Sequence, residues 1–251
     1  ICDQAGECKL QEYTTDYGSG THRFTEAKTK KGKNLSIGPR VNLDQERCVL
    51  CRRCVRFMKE IVGEEVLGVV GRGTHNAIAL YPGTSLDSNY SMNVVDICPV
   101  GAMTSKDFRF KMRVWFLKST PTIDVNCGTG TNINIWTREQ QVYRITPRQN
   151  DAVNSCWMPD DHRLNYKFIN APTRITTPLV KTDAGAGQRP STWDATFNMV
   201  VEQLHRMAPS ETAMICSARM TNEELYMVRA LSKQLGVTKL DIVPRKGESD
   251  G

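Results

Sequence analysis

The sequence predicts an α+β fold of three successive regions, and three observations support this prediction. Six of the nine cysteines lie within the first 98 residues, which begin with an irregular stretch rich in Gly, Thr and Lys. A central stretch alternates apolar with polar residues, as half-buried strands do. The last part alternates strand and helix patterns, which is typical of an α/β unit with a parallel sheet. We place these regions at residues 1–105, 106–170 and 171–251.

Composition limits the classes of protein that the chain can represent. Its 251 residues are 39% hydrophobic and 24% charged, with a mean hydropathy of −0.42, as in ordinary soluble domains. No run approaches the roughly 18 apolar residues of a membrane-spanning helix, so we expect no direct membrane span. The net charge of +6 is mild. The sequence also lacks a basic patch interleaved with aromatic residues, so we expect no nucleic-acid binding.

The first residues show neither the basic start nor the apolar core of a secretory signal. Because the chain begins with Ile1 rather than Met, we expect a processed or incomplete product. We also expect an intracellular compartment, where disulfides are disfavoured. Clustered cysteines in such a compartment more often bind metal.

A cysteine triplet supplies the most specific motif. Cys48, Cys51 and Cys54 form C-x2-C-x2-C, a spacing that can turn three sulfurs in one loop toward three iron corners of a [4Fe–4S] cube. In two-cluster ferredoxins a fourth cysteine follows in the same run, but here Met58 stands at that position. Cys98, followed by Pro99, supplies the missing ligand.

The complementary set of ligands is missing. The two-cluster ferredoxin pattern, counted back from Cys98, requires cysteines where the chain has Ser88, Ser91 and Val94. The sequence therefore predicts a ferredoxin-like region with one of two clusters lost. A zinc site is the alternative, although zinc sites usually combine two cysteine pairs or a pair with histidines. Three nearby arginines would stabilise an anionic cluster, or are plain surface charges: Arg52, Arg53 and Arg56.

Cys2 and Cys8 form a C-x5-C pair at the start of the chain. Two thiolates do not close a site, so a cluster here would need ligands that the chain does not contain. His22 is a tempting third ligand, but we expect a solvated loop histidine.

These motifs together resemble the large iron–sulfur subunit of NADH:quinone oxidoreductase, respiratory complex I. The segment 1–11, ICDQAGECKLQ, is similar to the end of its H-x3-C-x2-C-x5-C motif, and similar stretches occur at 38–41 and 93–102. The resemblance implies that Cys2 and Cys8 are part of the ligand set of a second [4Fe–4S] cluster, with one His and one Cys outside the chain. It also implies that the four cysteines from Cys48 to Cys98 hold the other cluster.

The resemblance implies an electron-relay role without a substrate site of its own. The partners would be other peripheral-arm subunits, including the NADH- and flavin-binding subunit and the quinone-side iron–sulfur subunits. The location would be the cytoplasmic face of a bacterial inner membrane or the mitochondrial matrix side. Two alternatives stay open: an iron–sulfur subunit of a cytoplasmic NAD-linked hydrogenase or formate dehydrogenase, and a zinc-stabilised interaction module.

Some relatives carry a further cluster in the module that corresponds to residues 106–170. Its ligand positions correspond here to Asp124, Cys127, Thr131 and Pro159, so we predict that this cluster is lost. Cys127, Cys156 and Cys216 are then predicted to be ordinary buried thiols, and Asp160, Asp161 and His162 a solvated turn.

Periodicity places the remaining elements. A short helix is expected within 55–65, a strand at 108–117, and a hairpin at 132–136 and 141–145. In the last region we expect a helix over 191–207, strands at 212–216 and 240–243, and between the strands a helix. A capping box at Thr221 and Glu224 begins that helix, Gly236 ends it, and its predicted buried stripe is Leu225, Val228, Leu231 and Leu235.

The resemblance implies that this last region begins a molybdopterin-oxidoreductase-like domain. We assign no molybdopterin to it.

Overall fold

The structure is a computed structural model that describes residues 2–181 and 187–243. The chain divides into two compact units, Ile1–Ala171 and Pro172–Gly251. The predicted regions 1–105 and 106–170 thus share the first unit, and the second unit begins one residue after the predicted third region. Residues 182–186 and 244–251 of that region lie outside the described residues.

The described helices and strands follow the predicted α+β mixture. The helices are α1 Lys9–Tyr17, α2 Arg53–Phe57, α3 Asn93–Ile97, α4 Asp160–Leu164, α5 Trp193–Arg206 and α6 Asn222–Leu235. The strands are β1 Leu35–Ser36, β2 Val41–Leu43, β3 Leu67–Val70, β4 Ala77–Leu80, β5 Met103–Ser105, β6 Lys118–Ile123, β7 Asn132–Arg138, β8 Gln141–Pro147, β9 Leu179–Val180, β10 Arg189–Pro190, β11 Ala213–Ser217 and β12 Lys239–Val243.

The ferredoxin-like region is built on a small antiparallel sheet of order β1-β2-β5. A second antiparallel pair, β3 and β4, follows the helix α2 and its π-helical continuation Met58–Val62. Apolar side chains from the sheet and the helices form one core, in which Leu43, Met58, Val94 and Met103 are at most 2% exposed. This core fixes the relative positions of the two chain segments that carry the cysteine motif.

The central module is an antiparallel sheet of order β6-β7-β8. The predicted hairpin is confirmed, and its two turn residues, Glu139 and Gln140, both have positive φ, which matches the right-handed twist of the strands. The inner face packs on Met158 and Tyr166, of which Met158 belongs to the segment leading into α4. The sheet therefore depends on contacts with residues that follow it in sequence.

Two expectations about local structure were wrong. The strand expected at 108–117 is a series of turns ending in a 3-10 turn at Val114–Phe116, because Phe110 takes positive φ and interrupts an extended backbone. The strand β6 begins only at Lys118. The alternation of apolar and polar residues in 108–117 therefore lies in turns and does not mark a strand. The Gly-, Thr- and Lys-rich stretch at the start of the sequence, which was expected to be irregular, contains the helix α1 at Lys9–Tyr17.

The second unit contains a parallel pair, β11 and β12, joined through α6. The capping box is confirmed: the Thr221 hydroxyl accepts from the Glu224 N–H at 3.3 Å, and the Glu224 carboxylate accepts from the Thr221 N–H at 2.8 Å. The helix ends at Gly236 with φ +68°. Of the predicted stripe, Leu231 is exposed and the other three leucine and valine positions are half-buried.

None of the helices in residues 2–181 and 187–243 is both long and apolar enough to span a bilayer.

Candidate metal centre

The antiparallel pairing of β2 with β5 brings the two parts of the cysteine motif together. Leu43 at the end of β2 pairs with Met103 at the start of β5, and the pairing extends one step because the Asp44 N–H donates to the Ala102 carbonyl at 2.8 Å. Cys48 lies five residues after Leu43, and Cys98 lies five residues before Met103. The pairing therefore places both segments at the same end of these two strands, although the segments are far apart in sequence.

The loop between Cys48 and Cys54 is wound by two left-handed residues. Leu50 and Arg52, the residues just before and just after Cys51, have φ of +53° and +60°. Left-handed conformations at non-glycine residues carry strain and occur where the surrounding structure requires them. Both lie within the seven-residue loop whose three cysteines line one pocket. Arg52 also precedes α2, whose first turn carries Cys54.

The four cysteines line one small pocket. Its walls are completed by apolar side chains and by the first residues of α2, among them Ile78, Val100, Met103, Arg52 and Arg53. Cys54 is buried, Cys48 and Cys98 are half-buried, and Cys51 is exposed. In the described residues no three His, Cys, Asp or Glu side chains converge closely enough to hold one ion. The thiols thus surround a volume and do not point at a single atom.

Burial and mutual repulsion disfavour free thiolates in this pocket. Burial, and then the neighbouring sulfurs of Cys98 and Cys48, raise the pKa of Cys54 to about 12. Burial also raises the pKa of Cys98, against the opposing effect of backbone hydrogen bonds with Val100, Met103 and Ala102. Four soft ligands of this kind gain most from a bound cationic group, which stabilises the deprotonated thiols. The donor set therefore fits an iron–sulfur cluster.

Backbone N–H groups also reach the sulfurs. The Leu50 N–H donates to the Cys48 sulfur at 3.4 Å. Hydrogen bonds of this type tune the reduction potential of an iron–sulfur centre. Arg52 and Arg53 line the pocket, whereas Arg56 lines an adjoining open groove.

The early pair, Cys2 and Cys8, lies directly beside this pocket. The Cys8 thiol donates to the carbonyl of Pro99 at 3.7 Å, and Cys2 packs on Gly101 so closely that a Cβ there would overlap its sulfur. Both cysteines thus contact the segment that immediately follows Cys98. His22 lies in an exposed part of the chain, as expected.

The positions of the missing ferredoxin ligands are closed by other side chains. Val94 is fully buried, and the buried Ser91 hydroxyl donates to Asp160 at 2.6 Å. Asp160 also accepts from the Met92 N–H at 3.0 Å, and burial raises its pKa to about 6. Asp161 is exposed, but Asp160 and His162 are at most 4% exposed, so the prediction of a solvated turn was wrong for those two residues.

The ligand positions of the predicted lost cluster in the central module are also closed. Asp124 and Thr131 are buried, and Asp124 lies 2.9 Å from His162 Nδ1. The sulfur of Cys127 lies 3.1 Å from the Thr131 hydroxyl and 2.9 Å from that of Thr129. Burial raises the pKa of Cys127, but hydrogen bonds from these two hydroxyls outweigh it and bring the pKa down to about 7.

Only one of the three thiols predicted to be buried is so. Cys216 is 6% exposed, as expected. Cys127 is half-buried and Cys156 is exposed, because both lie in turns at the rim of the module.

Two family models match this chain, and both describe iron–sulfur domains. Residues 38–104 match the ferredoxin-like domain of NADH-quinone oxidoreductase subunit 3, and residues 117–167 match the NADH-ubiquinone oxidoreductase NDSU1/NuoG-like 4Fe-4S domain. The predicted ferredoxin-like character and the predicted cofactor class, a [4Fe–4S] cluster, are thereby confirmed. The first model ends just after Cys98 and so contains the four-cysteine motif.

Comparisons with individual proteins, aligned over 94% of this chain, identify one type of iron–sulfur subunit. The chain is 36% identical over 236 residues to the G subunit of the NADH-quinone oxidoreductase of Rickettsia felis, which covers 94% of this chain and 35% of that protein. It is 39% identical over 239 residues to the mitochondrial NADH-ubiquinone oxidoreductase 78 kDa subunit of Candida albicans, covering 94% and 33%. The resemblance to the large iron–sulfur subunit of complex I is therefore confirmed, and the chain spans about a third of the length of these relatives.

A solved structure also matches part of the chain. An NAD+-reducing [NiFe]-hydrogenase in the H2-reduced state is 28% identical, with a TM-score of 0.39, over 45% of this chain and 49% of that one.

Proposed function

We propose that Cys48, Cys51, Cys54 and Cys98 hold one [4Fe–4S] cluster and that the chain relays electrons within an NADH:quinone oxidoreductase. The observation that carries this proposal is the single pocket lined by all four cysteines. Spacing alone predicted the four residues. The β2–β5 pairing supports the proposal because it places the Cys48–Cys54 loop and the Cys98 segment at the same end of the two strands.

When bound, a [4Fe–4S] cluster accepts and donates one electron at a time. The chain contributes the ligands, the burial and the nearby charges that set the potential. Apolar walls limit access of water, while Arg52 and Arg53 at the pocket offset the negative charge of four thiolates.

We further propose that Cys2 and Cys8 are two ligands of a second [4Fe–4S] cluster whose other ligands lie outside this chain. Their contacts with Pro99 and Gly101 support a short separation between the two centres. Electrons would arrive from NADH- and flavin-side carriers and leave toward quinone. The substrate sites would lie on other peripheral-arm subunits, at the cytoplasmic face of a bacterial inner membrane or on the mitochondrial matrix side.

The finer architecture is likewise a proposal. We assign residues 1–105 to the ferredoxin-like region, 106–170 to a module that has lost its cluster, and 171–251 to the start of a molybdopterin-oxidoreductase-like domain. The parallel β11–α6–β12 arrangement supports the last assignment.

Iron and acid-labile sulfide counting, with EPR on the reduced protein, tests the ligand set. We expect about four irons per chain from the complete site. Cys51→Ser should remove or degrade the cluster and its EPR signal, whereas the exposed Cys156→Ser should leave both unchanged. Full retention of the signal in Cys51→Ser contradicts the assignment, and a colourless protein with one zinc supports the zinc alternative instead.

A further inference from the structure

The segment from Cys2 to Cys8 is held in place by the central module. The Arg113 guanidinium donates to the Cys2 carbonyl at 2.5 Å, and the Phe110 N–H donates to the Asp3 carboxylate at 2.8 Å. Arg144 forms two hydrogen bonds with the Glu7 carboxylate, at 2.9 and 2.7 Å. These contacts join residues more than a hundred positions apart, so they are tertiary contacts and not part of a local turn.

Among these partners, Arg144 contacts two aromatic rings as well as Glu7. Its guanidinium lies over the Phe108 ring at 4.5 Å and over the Trp136 ring at 4.4 Å from the ring centres. Trp136 is the cross-strand partner of Arg144 in the β7–β8 pair, and its indole N–H donates to Thr146 at 2.9 Å. Two aromatic rings therefore contact the guanidinium in addition to the Glu7 carboxylate.

The position of Glu7 makes this contact relevant to the thiols. Glu7 directly precedes Cys8, which is 7% exposed and donates to the Pro99 carbonyl. A bidentate, partly buried guanidinium–carboxylate pair fixes both distance and orientation, which a single hydrogen bond does not. The Glu7 side chain is 27% exposed and that of Arg144 15%, so water competes only in part.

We propose that Arg144 is a positioning residue that holds Cys8, through Glu7, against the segment following Cys98. This inference rests on the proposed function, in which Cys8 is a cluster ligand. The module at 117–167, which keeps only Cys127 among the ligand positions of its predicted cluster, thus acts on the neighbouring site through the guanidinium of Arg144. Lysine cannot replace it, because an ammonium group lacks the planar fork that pairs with both carboxylate oxygens.

Alkylation of individual cysteines by iodoacetamide, measured by mass spectrometry on the full chain as purified, tests this role. In Arg144→Lys we expect Cys8 to be alkylated about tenfold faster, the effect of one lost charge-assisted hydrogen bond on local opening. Glu7→Gln should also increase the rate of Cys8 alkylation. The matched control is Arg138→Lys, on the same hairpin but paired with the exposed Glu139, and it should leave Cys8 unchanged.

Buried reference thiols separate local from global effects. Cys54 and Cys216 should stay protected in all variants, and the iron content and EPR signal of the four-cysteine site should not change. If Arg144→Lys also exposes Cys54, the first unit has unfolded, and the milder Glu7→Gln decides. Unchanged Cys8 reactivity in both Arg144→Lys and Glu7→Gln, with Cys54 protected, overturns the positioning role. Absence of iron from the unmodified chain would instead refute the proposed function, independently of Cys8.

Discussion

Two kinds of site can be compared within the first unit: the pocket that keeps its cysteines and the positions where cysteines of the cluster patterns are absent. Four thiols line the first, and burial raises the pKa of two of them. In the others, Ser91 with Asp160 and Asp124 with His162 form buried polar contacts. At these positions the side chains make polar contacts between segments that are distant in sequence.

The difference lies in what stabilises each site. A four-thiol pocket gains from a bound cationic group, which stabilises the deprotonated sulfurs against burial and mutual repulsion. A serine–aspartate contact is complete within the polypeptide, as the Asp160 carboxylate accepts from both Ser91 and Met92. The two sites should therefore respond differently to removal of metal, to substitution and to pH.

Removal of iron by a chelator under reducing conditions should give the largest difference. Metal ligation free energy can amount to roughly 10 kcal/mol of folding free energy in small metal-dependent domains. We expect amide hydrogen exchange to accelerate strongly in residues 44–58 and 96–103, and little in the hairpin of β7 and β8. Equal acceleration in both segments would show that the central module also depends on bound metal.

Substitution of Asp160 should have the next largest effect. Asp160→Ala removes the acceptor of the Ser91 hydroxyl and the Met92 N–H, which are both buried, so we expect a loss of roughly 2–4 kcal/mol in the free energy of unfolding. Denaturant unfolding measures this loss. The adjacent Asp161→Ala is the control, since its side chain is 70% exposed and should cost less than about 1 kcal/mol. A similar small loss in both variants would mean that this contact is dispensable.

Part of this architecture was predictable from sequence and part was not. Cysteine spacing identified the four pocket residues, and the Thr221–Glu224 box and Gly236 identified the limits of α6, because these signals are local. The burial of Asp160 was missed because its partner, Ser91, lies 69 residues away in the sequence. The contact of His162 with Asp124 likewise joins two segments that are distant in sequence. The one available signal was that Ser91 stands where a ferredoxin has a ligand.

The pH dependence of stability should also report on Asp160. Burial raises its pKa to about 6, above its value in the unfolded chain of about 3.9, so folding favours the protonated carboxyl. Its contribution to stability is fully present below about pH 4 and is lost as the pH rises through 6, a decrease of about 3 kcal/mol.

The comparison of the parent protein with Asp160→Asn isolates this contribution, because the amide does not titrate. Relative to Asp160→Asn, the unfolding free energy of the parent protein should fall as the pH rises from 4 to 6 and should then stay constant. A difference that is constant over this range would show that the Asp160 carboxyl is ionised throughout.

The smallest effect is expected at Gly101, where the four-cysteine pocket meets the Cys2–Cys8 pair. An added Cβ would overlap the Cys2 sulfur and approach the Gln4 Cβ to 3.1 Å, so Gly101→Ala must displace the first residues of the chain. Overpacking of this kind typically costs about 1–3 kcal/mol, and here the atoms that must shift belong to Cys2 and Gln4. We therefore expect faster alkylation of Cys2 with an unchanged EPR signal from the four-cysteine site. Gly128→Ala, where a Cβ meets no atom within 4 Å, is the matched control. If Gly101→Ala instead weakened the EPR signal and left Cys2 protected, the strain would have moved the Cys98 segment, and the pocket would be the softer of the two sites.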